Sequence, residues 1–126
     1  MKIEERAVDC KHWRWMAGMR VRGIDKLCVG VTANKGCPMY RDGYGNLSPV
    51  PHAEPDLTDP ATIGCLLALV REAWDMPRIN TFCADGWWGV HSPILKIGFP
   101  IRDKKNNSEA AALVKALEAA PKRGNQ

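Results

Sequence analysis

The chain has 126 residues, among them five cysteines and three histidines, so metal binding and thiol chemistry are the first possibilities to weigh. A structural zinc site needs paired ligands a few residues apart. The nearest pairs here are Cys10 with His12, and Cys28 with Cys37; neither has that spacing. Cys65 falls in an apolar run and Cys83 in a strand-like run, where a free thiol behaves as a small hydrophobe. A nucleophilic Cys-His pair requires hydrogen-bond contact. Cys83 and His91 are close in sequence, but the hairpin derived below sets them on opposite faces. There is no GxSxG, HExxH or Walker-type loop. "DGYGN" lacks a following helix to hold a phosphate and reads as a turn. The carboxylates of "AEPDLTD" precede a helix, where they complement its dipole. The expectation is a protein without enzymatic activity, cofactor or metal.

Binding chemistry is better represented. "KHWRWMAGMRVR", residues 11–22, mixes indoles with guanidinium groups, the types that stack on bases and track a phosphate backbone. Its period of two separates them, however. Trp13, Trp15, Met19 and Val21 form an apolar face, and Arg14, Arg20 and Arg22 a cationic row suited to phosphate but not to stacking. A second candidate lies in "INTFCADGWWGVHS". Asp85-Gly86 is a favoured two-residue turn, and it pairs Asn80 with His91, Thr81 with Val90, Phe82 with Gly89, Cys83 with Trp88 and Ala84 with Trp87. Ile79, Thr81, Cys83, Trp88 and Val90 then share the face expected in the core. Asn80, Phe82, Trp87 and His91 share the other, where an exposed aromatic patch would mark a partner or oligomer interface. The candidate binding residues are therefore Arg14, Arg20, Arg22, Phe82, Trp87 and His91.

The elements that must position these groups predict a small single α+β domain over residues 1–126. Ile3, Ala7 and Cys10 suggest a short first helix. Two N-terminal strands follow, over Trp13–Arg22 and Leu27–Thr32, the first bent at Ala17-Gly18. Residues 33–55, rich in glycine and proline, are expected to be an irregular loop in which "RDGYG" could turn a brief hairpin. Asp59 and Pro60 start the clearest helix, which carries Ile63, Leu66, Leu67, Val70 and Trp74 on one stripe and stops by Pro77; it is expected to be central. The Asp-Gly hairpin comes next, then a candidate edge strand in "ILKIGFPI". A C-terminal helix capped by Ser108 shows a narrow Leu113 and Leu117 stripe and is followed by a fraying tail, 121–126. An antiparallel sheet packed against the central and C-terminal helices is the expected architecture.

Net charge is +4, unevenly placed. Lys11, Arg14, Arg20, Arg22, Lys26, Lys35 and Arg41 face only Asp25 in residues 11–41, whereas residues 51–78 are mainly acidic. Such asymmetry attracts anionic partners. The charged start "MKIEERAVDC" does not read as a signal peptide, and "IGCLLALV" falls short of the roughly twenty residues a membrane span needs. A cytoplasmic protein with reduced thiols and no membrane association is expected.

"RWMAGMRVR", "PDLTDPATIGCLLALVREAW" and "SEAAALVKALEAAP", in that order, resemble a group of small uncharacterised proteins encoded by tailed bacteriophages and prophages. These segments cover about a third of the chain, and the group carries no agreed activity or catalytic residues. The resemblance implies a setting in the bacterial cytoplasm and a phage accessory protein that binds and inhibits a host component, such as a defence protein. Two alternatives stay open: a protein that sequesters a nucleotide signal at a homo-oligomer interface, and a single-stranded nucleic-acid or phosphate-binding module using the arginine row.

Overall fold

The structure, a computed structural model, describes residues 2–23, 28–31, 37–41, 43–50, 52–84, 87–92 and 108–121. The predicted edge strand within 94–101 and nearly all of the C-terminal tail lie outside these residues. The element order is α1 (Ile3–Asp9), β1 (Gly30–Val31), β2 (Pro38–Arg41), β3 (Leu47–Pro49), α2 (Pro60–Trp74), β4 (Asn80–Ala84), β5 (Trp87–His91) and α3 (Glu109–Glu118). This is an α+β fold with antiparallel pairing throughout. Its strands form two sheets, β1-β2-β3 and β4-β5. Backbone contacts group the chain into two compact units, Arg14–Cys65 and the combination of Met1–Trp13 with Leu66–Gln126; the division falls within α2.

In the Arg14–Cys65 unit the strand expected over Trp13–Arg22 does not form. Met19 N–H closes a turn onto Met16 O at 3.1 Å, with Gly18 at φ 98, a conformation that a residue with a β-carbon adopts only under strain. The segment then meets neighbouring backbone at isolated points: Gly18 N–H donates to Cys28 O, Cys28 N–H to Met19 O, and Val21 bridges Pro55. The alternation survives without the ladder. Trp15, Met19 and Val21 are buried, Trp13 is half-buried, Arg14 and Arg22 are exposed, and Arg20 is half-buried. Of the second predicted strand, Gly30–Val31 is strand among the described residues, and Leu27 and Thr32 lie outside them. The stretch expected to be irregular, 33–55, contains β2 and β3, with Met39 opposite Pro49, Tyr40 opposite Ser48 and Arg41 opposite Leu47. The hairpin expected at "RDGYG" is therefore present, with Gly45 at φ 84 and its carbonyl held by Arg41 Nη1 at 3.0 Å.

Helix α2 begins as its sequence predicts. Asp59 Oδ2 accepts the Thr62 N–H at 3.0 Å, and Pro60 occupies the first helical position, where no N–H is needed. Thr62 is fully buried yet satisfied: its hydroxyl donates to Asp59 Oδ2 at 3.0 Å and accepts the Arg20 N–H at 2.8 Å.

In the other unit, α3 is the most enclosed helix. Residues 110–114, 116 and 117 are all buried, on every side of the cylinder, where a narrow stripe was expected. It packs against α1, β4 and β5, and its alanines allow that close approach on several sides. Ser108 caps it, accepting the Ala111 N–H at 3.1 Å. Trp74 Nε1 donates to Ala116 O at 2.9 Å, a carbonyl that the helix end bypasses because Ala120 N–H turns to Leu117 O. Arg6 of α1 pairs with Glu118 of α3. Helix α2 ends in a Schellman arrangement, with Met76 N–H to Arg71 O and Asp75 N–H to Glu72 O. Asp75 takes the left-handed position, φ 55, that glycine usually fills.

Candidate binding surface

The β4–β5 register is the one derived from the Asp-Gly turn, pair for pair. Its two faces differ toward the end near Ile79 and Val90, while Cys83 and Trp88, expected in the core, are not buried because they lie at the far end of the hairpin. Ile79 and Val90 are fully buried, and Thr81 Oγ1 donates to Glu109 Oε2 of α3 at 2.6 Å. Trp88 on this face is half-buried, and Cys83 is exposed. The opposite face carries exposed Asn80, Phe82 and His91 with half-buried Trp87.

Gly89 organises that outer face. A β-carbon placed on it would lie 2.5 Å from Phe82 Cζ and 2.8 Å from Cε1, so the far end of the Phe82 ring fills the space a side chain would need. The ring thus reaches across the ladder onto bare backbone, between Trp87 and His91 of the facing strand, while Phe82 stays 40% exposed. His91 meets it edge to face, centroids 6.4 Å apart and planes at 86°, a geometry the ring quadrupoles favour. Phe82, Trp87 and His91 therefore share one surface.

Arg71 of α2 sits where this surface ends. Its Nε donates to Ile79 O and its Nη2 to Asn80 Oδ1, both at 2.8 Å, and Asn80 is the cross-strand partner of His91. Both acceptors are neutral, and no carboxylate lies within ion-pair distance of Arg71 among the described residues. Neither Arg71 nor Gly89 was singled out from the sequence. The facing of Gly89 and Phe82 was readable in the register; the bonds of Arg71 depend on how α2 ends and had no sequence signal.

Arg14, Arg20 and Arg22 belong to the Arg14–Cys65 unit. Arg20 Nε lies 3.7 Å from Asp59 Oδ1, and Arg22 Nη1 lies 3.5 Å from Glu54 Oε2. The backbone ties the same partners together, Arg22 N–H to Glu54 O and Asp56 N–H to Arg20 O, each at 2.8 Å. Asp56 is held below the usual carboxylate range, chiefly by the Thr58 hydroxyl and N–H on its Oδ1, with help from Arg20 and Arg22. The row is thus laced with acidic partners.

All five cysteines are free thiols. Burial, then the charges of Asp59 and Cys28, push the Cys65 thiol up, which disfavours the nucleophilic thiolate. Among the described residues no group of three His, Cys, Asp or Glu side chains could hold a metal ion, and no helix is long and apolar enough to cross a membrane. No family model, curated protein or solved structure matches the chain.

Proposed function

We propose that the chain is a non-enzymatic binding protein whose working surface is the outer face of the β4–β5 hairpin. In the phage or prophage setting that its sequence resembles, it would capture and inhibit a host component in the bacterial cytoplasm. The observation that supports this reading is the exposed Phe82 ring, seated on Gly89 and flanked by His91, on a hairpin whose other face is anchored to α3. Rigid aromatic groups presented on a supported element supply contact area at low entropic cost. The arginine row is the weaker candidate, because Arg20 and Arg22 each face a carboxylate.

The test compares the native chain, immobilised in bacterial lysate, with a Phe82→Ala/Trp87→Ala variant of unchanged circular dichroism. Retention of a host component by the native chain and its loss from the variant is the expected result. Equal retention by both, or none by either, overturns the reading.

A further inference from the structure

We infer that the outer face of the β4–β5 hairpin takes a nucleobase against Phe82, with the attached phosphate directed toward Arg71. This inference rests on the reading of that face as the working surface and names the chemistry of what it captures. The argument begins with Phe82. Aromatic rings in a strand usually stand off the sheet among their neighbours, but the missing side chain at Gly89 lets this ring lean over the ladder. A planar π-system held in place and left 40% exposed is a stacking surface for another planar ring, and every base offers such a face. His91 meets it edge to face, and Trp87 shares its face of the hairpin through the register, as the aromatics of sheet-based readers do for unpaired bases.

Arg71 then favours a base that carries phosphate over a purely apolar ring. Arg6, Arg20 and Arg22 each have a carboxylate partner, whereas Arg71 donates to the neutral Ile79 O and Asn80 Oδ1 and has no carboxylate within ion-pair distance among the described residues, which leaves guanidinium N–H groups for an incoming anion. Asn80 and Phe82 are alternate residues on one face of β4, about 7 Å apart along the strand. Arg71, bonded to Asn80, therefore lies on the Asn80 side of Phe82, the side toward which the 5′-phosphate of a stacked base would extend. The ligand could be a free nucleotide or one residue of a single strand, since the recognised chemistry is the same.

Heteronuclear NMR on the full chain separates these sources, using adenosine 5′-monophosphate, a short oligodeoxyadenylate, and ribose 5-phosphate as a base-free control. The monophosphate is expected to move the Phe82, Gly89 and His91 amides and the Arg71 side-chain signal, and ribose 5-phosphate to leave the hairpin amides in place. Phe82→Ala should weaken the monophosphate at least roughly fivefold. Gly89→Ala should also weaken it, because it displaces the ring while leaving Phe82 in the chain. Arg71→Gln should weaken the monophosphate but not adenosine. An oligodeoxyadenylate bound more tightly than its number of bases accounts for identifies a strand as the source; a monophosphate bound as well, base for base, identifies a free nucleotide. The inference is overturned if neither nucleotide moves the hairpin amides at millimolar concentration, if ribose 5-phosphate moves them equally, or if Phe82→Ala binds as tightly as the native chain. If the nucleotides fail while a lysate component still depends on Phe82 and Trp87, only the ligand chemistry is wrong and the working surface stands.

Discussion

The far end of the Phe82 ring occupies the position of a Gly89 β-carbon, 2.5 Å from where that atom would stand. Gly89→Ala therefore drives the ring off its seat. In the native background the expected cost is about 1 kcal/mol, since overpacking outweighs the gain from replacing a strand glycine. In a Phe82→Ala background the same substitution should stabilise by about 0.5 kcal/mol, because the space is vacant and alanine restricts the unfolded chain. Urea melts of the four proteins in this cycle check the change of sign.

Trp74→Phe removes the Nε1 donor from Ala116 O and leaves a carbonyl at the end of the buried helix without that partner. A loss of about 1–2 kcal/mol is expected, more than the change in ring size alone would give. Chemical denaturation measures it, and a loss below about 0.5 kcal/mol would mean that the bond adds little beyond packing.

Asp75→Gly should stabilise the protein by roughly 0.5–1 kcal/mol, because glycine takes a left-handed C-terminal position without the steric penalty of a β-carbon. Thermal melting reads this as a rise in midpoint. A fall would show that the Asp75 side chain contributes more than its backbone strain costs.

Stability should depend on pH through Asp56. Its carboxyl titrates below the ordinary value in the folded chain, so its ionised form stabilises the fold. That contribution is present in full above about pH 3.9 and is lost as pH falls further, through the lowered folded value. The stability difference between the native chain and Asp56→Asn should accordingly narrow below about pH 3.9 in urea titrations. A gap that stays constant down to full protonation would remove Asp56 from the acid response.

What could be read from the sequence was what local chemistry determines. Asp59-Pro60 and Ser108 place the starts of α2 and α3, and the two-residue spacing between the runs ending at Ala84 and starting at Trp87 gives the β4–β5 register, because caps and short spacings act within a few residues. The segment Trp13–Arg22 misled because alternating burial does not require a ladder: a turn at Ala17-Gly18 keeps Trp15, Met19 and Val21 inside without strand pairing. The wide burial of α3, which leaves only Lys115 and Glu118 exposed, was hidden by its alanines, which a search for a leucine stripe counts as neutral. Of the candidate surface, Phe82, Trp87 and His91 follow from register alone. Arg71 does not, since its bonds to Ile79 and Asn80 arise where the end of α2 meets the start of β4.

The pairing of Arg6 with Glu118 spans 112 residues, and it joins α1 to α3. During synthesis α1 emerges before α3, the helix it packs against. A seven-residue helix is too short to persist alone in water, so α1 waits for α3 before it is held. Emergence of α3, rather than of any earlier segment, sets the moment at which α1 can dock, and a chain ended before α3 should leave α1 without the helix it packs against.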